Sequence, residues 1–87
     1  QFQKTAFNVN EMEGQLQVSI SAPGENGFSL YISDLLGSTV YTKSDLMVVN
    51  HSEFTIDRHN FRSGIYFATL ISGEKKITRK IMINRWD

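Results

Sequence analysis

Gln15-Leu16-Gln17-Val18-Ser19-Ile20-Ser21, then Ala22-Pro23-Gly24-Glu25-Asn26-Gly27, then Phe28-Ser29-Leu30-Tyr31-Ile32-Ser33 is the stretch that decides the fold. Every second residue of its two outer runs is apolar: Leu16, Val18 and Ile20 in the first, Phe28, Leu30 and Ile32 in the second. Successive side chains of a strand point to opposite faces, so each run presents one apolar row to a core and a serine-rich row to water. The residues between combine proline, two glycines and an Asn-Gly pair, which is turn chemistry. The stretch therefore predicts two short antiparallel strands joined by a hairpin at residues 22–27.

The rest of the chain repeats the theme, and no helical stripe interrupts it. Asp34-Leu35-Leu36-Gly37 breaks the alternation before Ser38-Thr39-Val40-Tyr41-Thr42, with Gly37 supplying a backbone angle that other residues resist. Leu46-Met47-Val48-Val49 reads equally as a short strand or a collapsed loop. Phe54 and Ile56 alternate again, ahead of the polar Arg58-His59-Asn60. Residues 65–71 are apolar on both faces, Ile65, Phe67 and Ile71 on one and Tyr66, Ala68 and Leu70 on the other, which predicts a central strand covered on both sides. Ser72-Gly73-Glu74-Lys75 makes a turn, and Ile77, Ile81 and Ile83 then share a face that Arg79 interrupts. The N-terminal piece, residues 2–9, alternates weakly, as an added edge strand does. Short strands with turns every 8–12 residues predict an all-β fold, an immunoglobulin-like antiparallel β-sandwich of about seven strands, in one domain over residues 1–87.

Composition narrows the function. Nine Lys+Arg balance nine Asp+Glu in 87 residues, which argues against a strongly basic nucleic-acid binder. The chain has no cysteine, so disulfides, thiolate zinc sites and cysteine nucleophiles are excluded together. No apolar run is longer than four residues, far below the roughly 20 of a membrane helix, and no membrane insertion is expected. The chain opens on Gln1 with no signal peptide, and Ile81-Met82-Ile83-Asn84-Arg85-Trp86-Asp87 has the character of a natural C-terminus. The expectation is the last domain of a longer chain.

A search for chemistry yields little. His51, Glu53, Asp57 and His59 would share a strand face, but residues 51 and 59 would stand about 26 Å apart, so a metal site needs a sharp bend. Solvated loop residues are the simpler reading. The serines fall on polar strand faces, no Gly-x-Ser-x-Gly elbow exists, and the Glu11–Glu13 pair has no cleft to face. Neither an enzyme nor a cofactor is expected. Charge, however, is uneven: Lys75, Lys76, Arg79, Lys80 and Arg85 crowd the last strand against Glu74 and Asp87. Such a strand is either a surface for a partner or an edge protected from sheet-to-sheet pairing.

Taken together, three elements carry a resemblance. They are Asp34-Leu-Leu-Gly37 closing a strand, Gly64-Ile-Tyr66 entering the next-to-last strand, and Lys80 in the final strand, all within residues 15–84. In order and spacing they resemble the C-terminal sorting domain of the type IX secretion system of Bacteroidetes. The family usually opens with Pro-Asn-Pro; here that region reads Phe7-Asn-Val-Asn-Glu-Met-Glu-Gly14. The same skeleton is similar to that of small immunoglobulin-like Bacteroides proteins of unknown role, which would suit a binding or adhesion module. The first resemblance implies a non-catalytic secretion signal that folds in the periplasm, meets the outer-membrane translocon and a sortase, and ends at the cell surface or outside. It points to Asp34, Gly37, Gly64, Tyr66 and Lys80 as the motif residues, with residues 64–84 carrying recognition. A flat edge strand is also compatible with a weak homodimer.

Overall fold

The computed structural model describes residues 5–12, 14–73 and 75–84. Five strands follow in order: β1 (Ala6–Met12), β2 (Gln15–Asp34), β3 (Thr39–Asp57), β4 (Gly64–Ser72) and β5 (Lys75–Ile83), with a 3-10 turn (Arg58–Asn60) between β3 and β4. All pair antiparallel within a single sheet. The all-β antiparallel expectation therefore holds, but among the described residues a single sheet of five strands stands where an immunoglobulin-like sandwich of about seven was expected. Residues 2–4, Glu13, Glu74, Arg85 and Asp87, which entered the sequence reading, lie outside the described residues.

The count differs because the predicted hairpin at residues 22–27 does not form. β2 runs straight through it, as one strand of 20 residues. Its partner β3 follows, Ala22 pairing with Asn50 and Glu25 with Val49, so Pro23 and Gly24 are extra residues of a bulge. A bulge tolerates proline, which has no N–H for the ladder. Gly24 adopts φ +79 and donates its N–H to Asn50 Oδ1 at 3.1 Å, while Asn50 itself sits at φ +66. Residues suited to a turn are thus equally suited to a bulge.

The bulges let the long strands bend. A straight strand of β2's length would span about 65 Å, yet the longest dimension of the molecule is 46 Å. The folding-over is clearest on β3, where Lys43 Nζ lies 5.3 Å from the centre of the Phe54 ring. A straight strand would hold those positions about 36 Å apart. On its other side β2 carries β1 along residues 15–21 and β4 along residues 29–34. β5 pairs with β4 and returns to pack against β1, so the sheet nearly closes on itself as a barrel does.

One core fills the interior. Phe7, Leu16, Val18 and Ile20 meet Leu30, Ile32, Ala68, Leu70, Ile81 and Ile83 there, together with Phe61 and Tyr66. Residues 46–49, ambiguous from sequence, belong to β3, with Val48 inward and Met47 and Val49 exposed. Arg79 interrupts the isoleucine row for a reason: its Nε donates to the Phe7 carbonyl at 3.0 Å and ties β5 to β1. The expectation that β4 is covered on both faces needs correction. Tyr66, Ala68 and Leu70 are buried, but Ile65, Phe67 and Ile71 are only half-buried on the outer face.

Candidate recognition surface

The Asp-x-x-Gly element is the hairpin between β2 and β3. Gly37 N–H donates to the Asp34 carbonyl and Asp34 N–H to the Ser38 carbonyl, each at 3.0 Å, which closes a three-residue loop. Asp34 Oδ1 accepts from the backbone N–H groups of Leu36 (3.0 Å) and Ser38 (2.9 Å). Aspartate suits this place because a short carboxylate can satisfy its own turn. Gly37 holds φ +89 at the position where such loops require a left-handed residue. The side chains of Leu35 and Leu36 are driven outward, and Leu36 is 92% exposed.

The Gly-x-Tyr element lies directly beside it, since Asp34 pairs with Tyr66. Tyr66 is buried, stacks edge-on against Phe61 (5.4 Å, 82°) and donates its hydroxyl to the Arg62 carbonyl at 2.8 Å. This is the arrangement of a tyrosine corner, which pins the chain entering a strand. Gly64 opens β4 at φ +153. Together the two elements enclose a groove of about 270 Å3 lined by Asp34, Leu35, Leu36, Arg62, Gly64, Ile65 and Tyr66.

Lys80 does not join that groove. It stands exposed on the outer face of β5, opposite Phe67, one row beyond the Ile65–Met82 pair. Four of the five motif residues are thus brought together, and the fifth shares the neighbouring face. Sequence reasoning missed the outward leucines, although connecting loops generally run over the protein surface. It also missed a half-buried ion pair between Arg58 and Glu11. That pair clamps the end of β5: Arg58 Nη1 donates to the Asn84 carbonyl at 2.6 Å, and Glu11 Oε1 accepts from Asn84 N–H at 3.3 Å.

The histidines separate into two exposed pairs on β3 and the 3-10 turn rather than lying in loops. His51 bridges Ser21 Oγ (2.8 Å, through Nδ1) and Glu53 (3.2 Å, through Nε2), while His59 Nδ1 meets Asp57 Oδ1 at 3.0 Å. Ser21, His51 and Glu53 have the order of a hydrolytic relay, but they lie open on the sheet surface, away from the groove. Asp57 also accepts from His59 N–H at 2.9 Å. That backbone hydrogen bond, then the one to the His59 ring, holds the Asp57 carboxyl below the usual range. Burial pushes the Tyr41 phenol up.

The family model of the secretion system C-terminal sorting domain matches residues 10–84, and the chain belongs to that family. It is a family of the type IX secretion system, whose domains serve sorting rather than catalysis and accompany export to the surface or beyond. Of the two resemblances the sequence offered, the match falls to the first. No curated protein matches the chain.

Proposed function

We propose that this domain is a sorting signal read by the outer-membrane translocon of the type IX system, with the β4–β5 hairpin and the residues up to Asn84 as the part that is read. It crosses the periplasm folded, meets the translocon and is released by a sortase at the surface. The observation that carries the reading is the position of Lys80. Its ammonium stands on the outer face and makes no ion pair among the described residues.

The competing account of the basic strand, protection of a free edge, is weaker in this fold. Lys76 and Lys80 point out of the sheet's face, and β1 packs beside the outer edge of β5, where Arg79 holds the Phe7 carbonyl. Asp34, Gly37, Gly64 and Tyr66 serve in this reading to hold the hairpin in place beside the β2–β3 loop. The test is export of a fluorescent reporter carrying this chain behind a signal peptide in a Bacteroidetes host, with and without a working translocon. Surface reporter in the competent strain alone, lost on Lys80→Ala while the domain stays folded, is the expected result. Normal export of the Lys80→Ala fusion would overturn it.

A further inference from the structure

Ile65 is where two surface features meet. It lines the groove with Leu35, Leu36 and Arg62, and it is the cross-strand neighbour of Met82. Two positions along the same face lies Phe67, opposite Lys80. Leu35, Leu36, Ile65, Phe67 and Met82 therefore form one apolar strip, running from the loop tip across the outer face of the hairpin. Much of it is open to water: Leu36 is 92%, Leu35 65% and Met82 57% exposed. Contiguous exposed apolar surface marks interaction sites.

The charge around this strip is predominantly positive. Neither β4 nor β5 contains an acidic residue, whereas β5 carries Lys75, Lys76, Arg79 and Lys80, and Arg62 stands at the groove. Arg79 is committed to the Phe7 carbonyl. Arg62, Lys76 and Lys80 make no ion pair among the described residues. The one acid at the groove, Asp34, is turned onto the amides of its own loop.

We infer that this strip docks a protein partner that presents acidic side chains around one protruding apolar side chain. The apolar side chain enters the groove between the Leu35–Leu36 tip and Ile65, and the carboxylates face Arg62 and Lys80. Concavity favours a protein over an anionic bilayer: the groove has walls from two separate elements and room for a side chain, while a bilayer presents nothing that protrudes. The inference rests on reading the β4–β5 hairpin as the recognised part, and it adds the partner's chemistry.

The test is a titration of the 15N-labelled 87-residue chain with the peptide Glu-Glu-Leu-Glu-Glu, with its counterpart Lys-Lys-Leu-Lys-Lys, and with phosphatidylglycerol vesicles. The acidic peptide is expected to shift the amide resonances of Leu36, Ile65, Phe67 and Met82 and to weaken as salt is raised. Leu36→Ser and Lys80→Glu, both at exposed positions, should each cut the affinity about tenfold with an otherwise unchanged spectrum. Absence of shifts, equal shifts with the lysine peptide, or a response to the vesicles alone would each overturn the inference. Peptide binding here together with normal export of Lys80→Ala would sink the sorting reading and leave the docking surface standing. Export that needs Lys80, with no peptide binding, would do the reverse.

Discussion

Gly37 and Gly64 hold backbone angles that L residues resist, and they do so differently. Gly37 lies in the left-handed region at φ +89, whereas Gly64 at φ +153 lies where almost no residue but glycine goes. A Cβ at either position would meet no atom within 4 Å, so the cost of a side chain is torsional rather than steric. Gly37→Ala and Gly64→Ala should each cost about 1–2 kcal/mol in urea denaturation. Asparagine separates them. It visits the left-handed region readily, so Gly37→Asn should recover most of the loss while Gly64→Asn recovers none. Asp57 offers a second test at this scale. Its carboxyl is held below the ordinary range by His59, so its stabilising effect is complete above the unfolded value near 3.9 and fades as pH falls through the lower folded value. The melting advantage of the wild type over Asp57→Asn should therefore persist at pH 5–7 and vanish in strong acid. A difference that survives at the lowest pH would refute the assignment.

At the scale of elements, the period-two rows were legible and their connections were not. Leu16, Val18 and Ile20, and likewise Phe28, Leu30 and Ile32, face the core as their alternation requires. What local sequence could not settle was whether Pro23-Gly24 turns the chain back or bulges it outward. The arbiter is Asn50, which supplies both a left-handed residue and an acceptor for Gly24 from 26 residues away. Gly37, Gly64 and Tyr66 were legible as strand-boundary glycines and a buried ring with a hydrogen-bonded hydroxyl, because those roles are local to their own loops. Arg79 was visible as an interruption, but its partner lies 72 residues off on β1. β1 itself shows how far the folding unit reaches: the family match begins at residue 10, yet Phe7 is fully buried. Phe7→Ala should cost about 3–5 kcal/mol, a large share of the stability of a domain this size. A thermal melt that barely moves would mean that β1 is an appendage.

The whole molecule is a sheet bent over one core, and such a sheet must be closed where its ends meet. Two polar devices do this between β1 and β5. Arg79 reaches the Phe7 carbonyl at one point, and Glu11 with Arg58 grips both backbone groups of Asn84 at the other. The Glu11 and Arg58 side chains are only 23% and 20% exposed, so their pairing is less screened than that of a surface pair. Glu11→Gln removes the charge but keeps an acceptor, leaving the partly desolvated guanidinium without a counter-charge. It should cost about 1–3 kcal/mol. The cost should also be uneven. Val18, Leu30 and Leu70 lie in the interior, so amide exchange along the middle of β2 and β4 should change only through global stability. The amides of Ile83 and Asn84 should lose protection well beyond that global change, because their end of β5 is held by the clamp. If the hairpin is read at the translocon as a rigid surface, a reporter carrying Glu11→Gln should be exported less efficiently even at temperatures where the domain stays folded. Uniform loss of protection together with full export would show the clamp to be a general stabiliser with no part in presenting the hairpin.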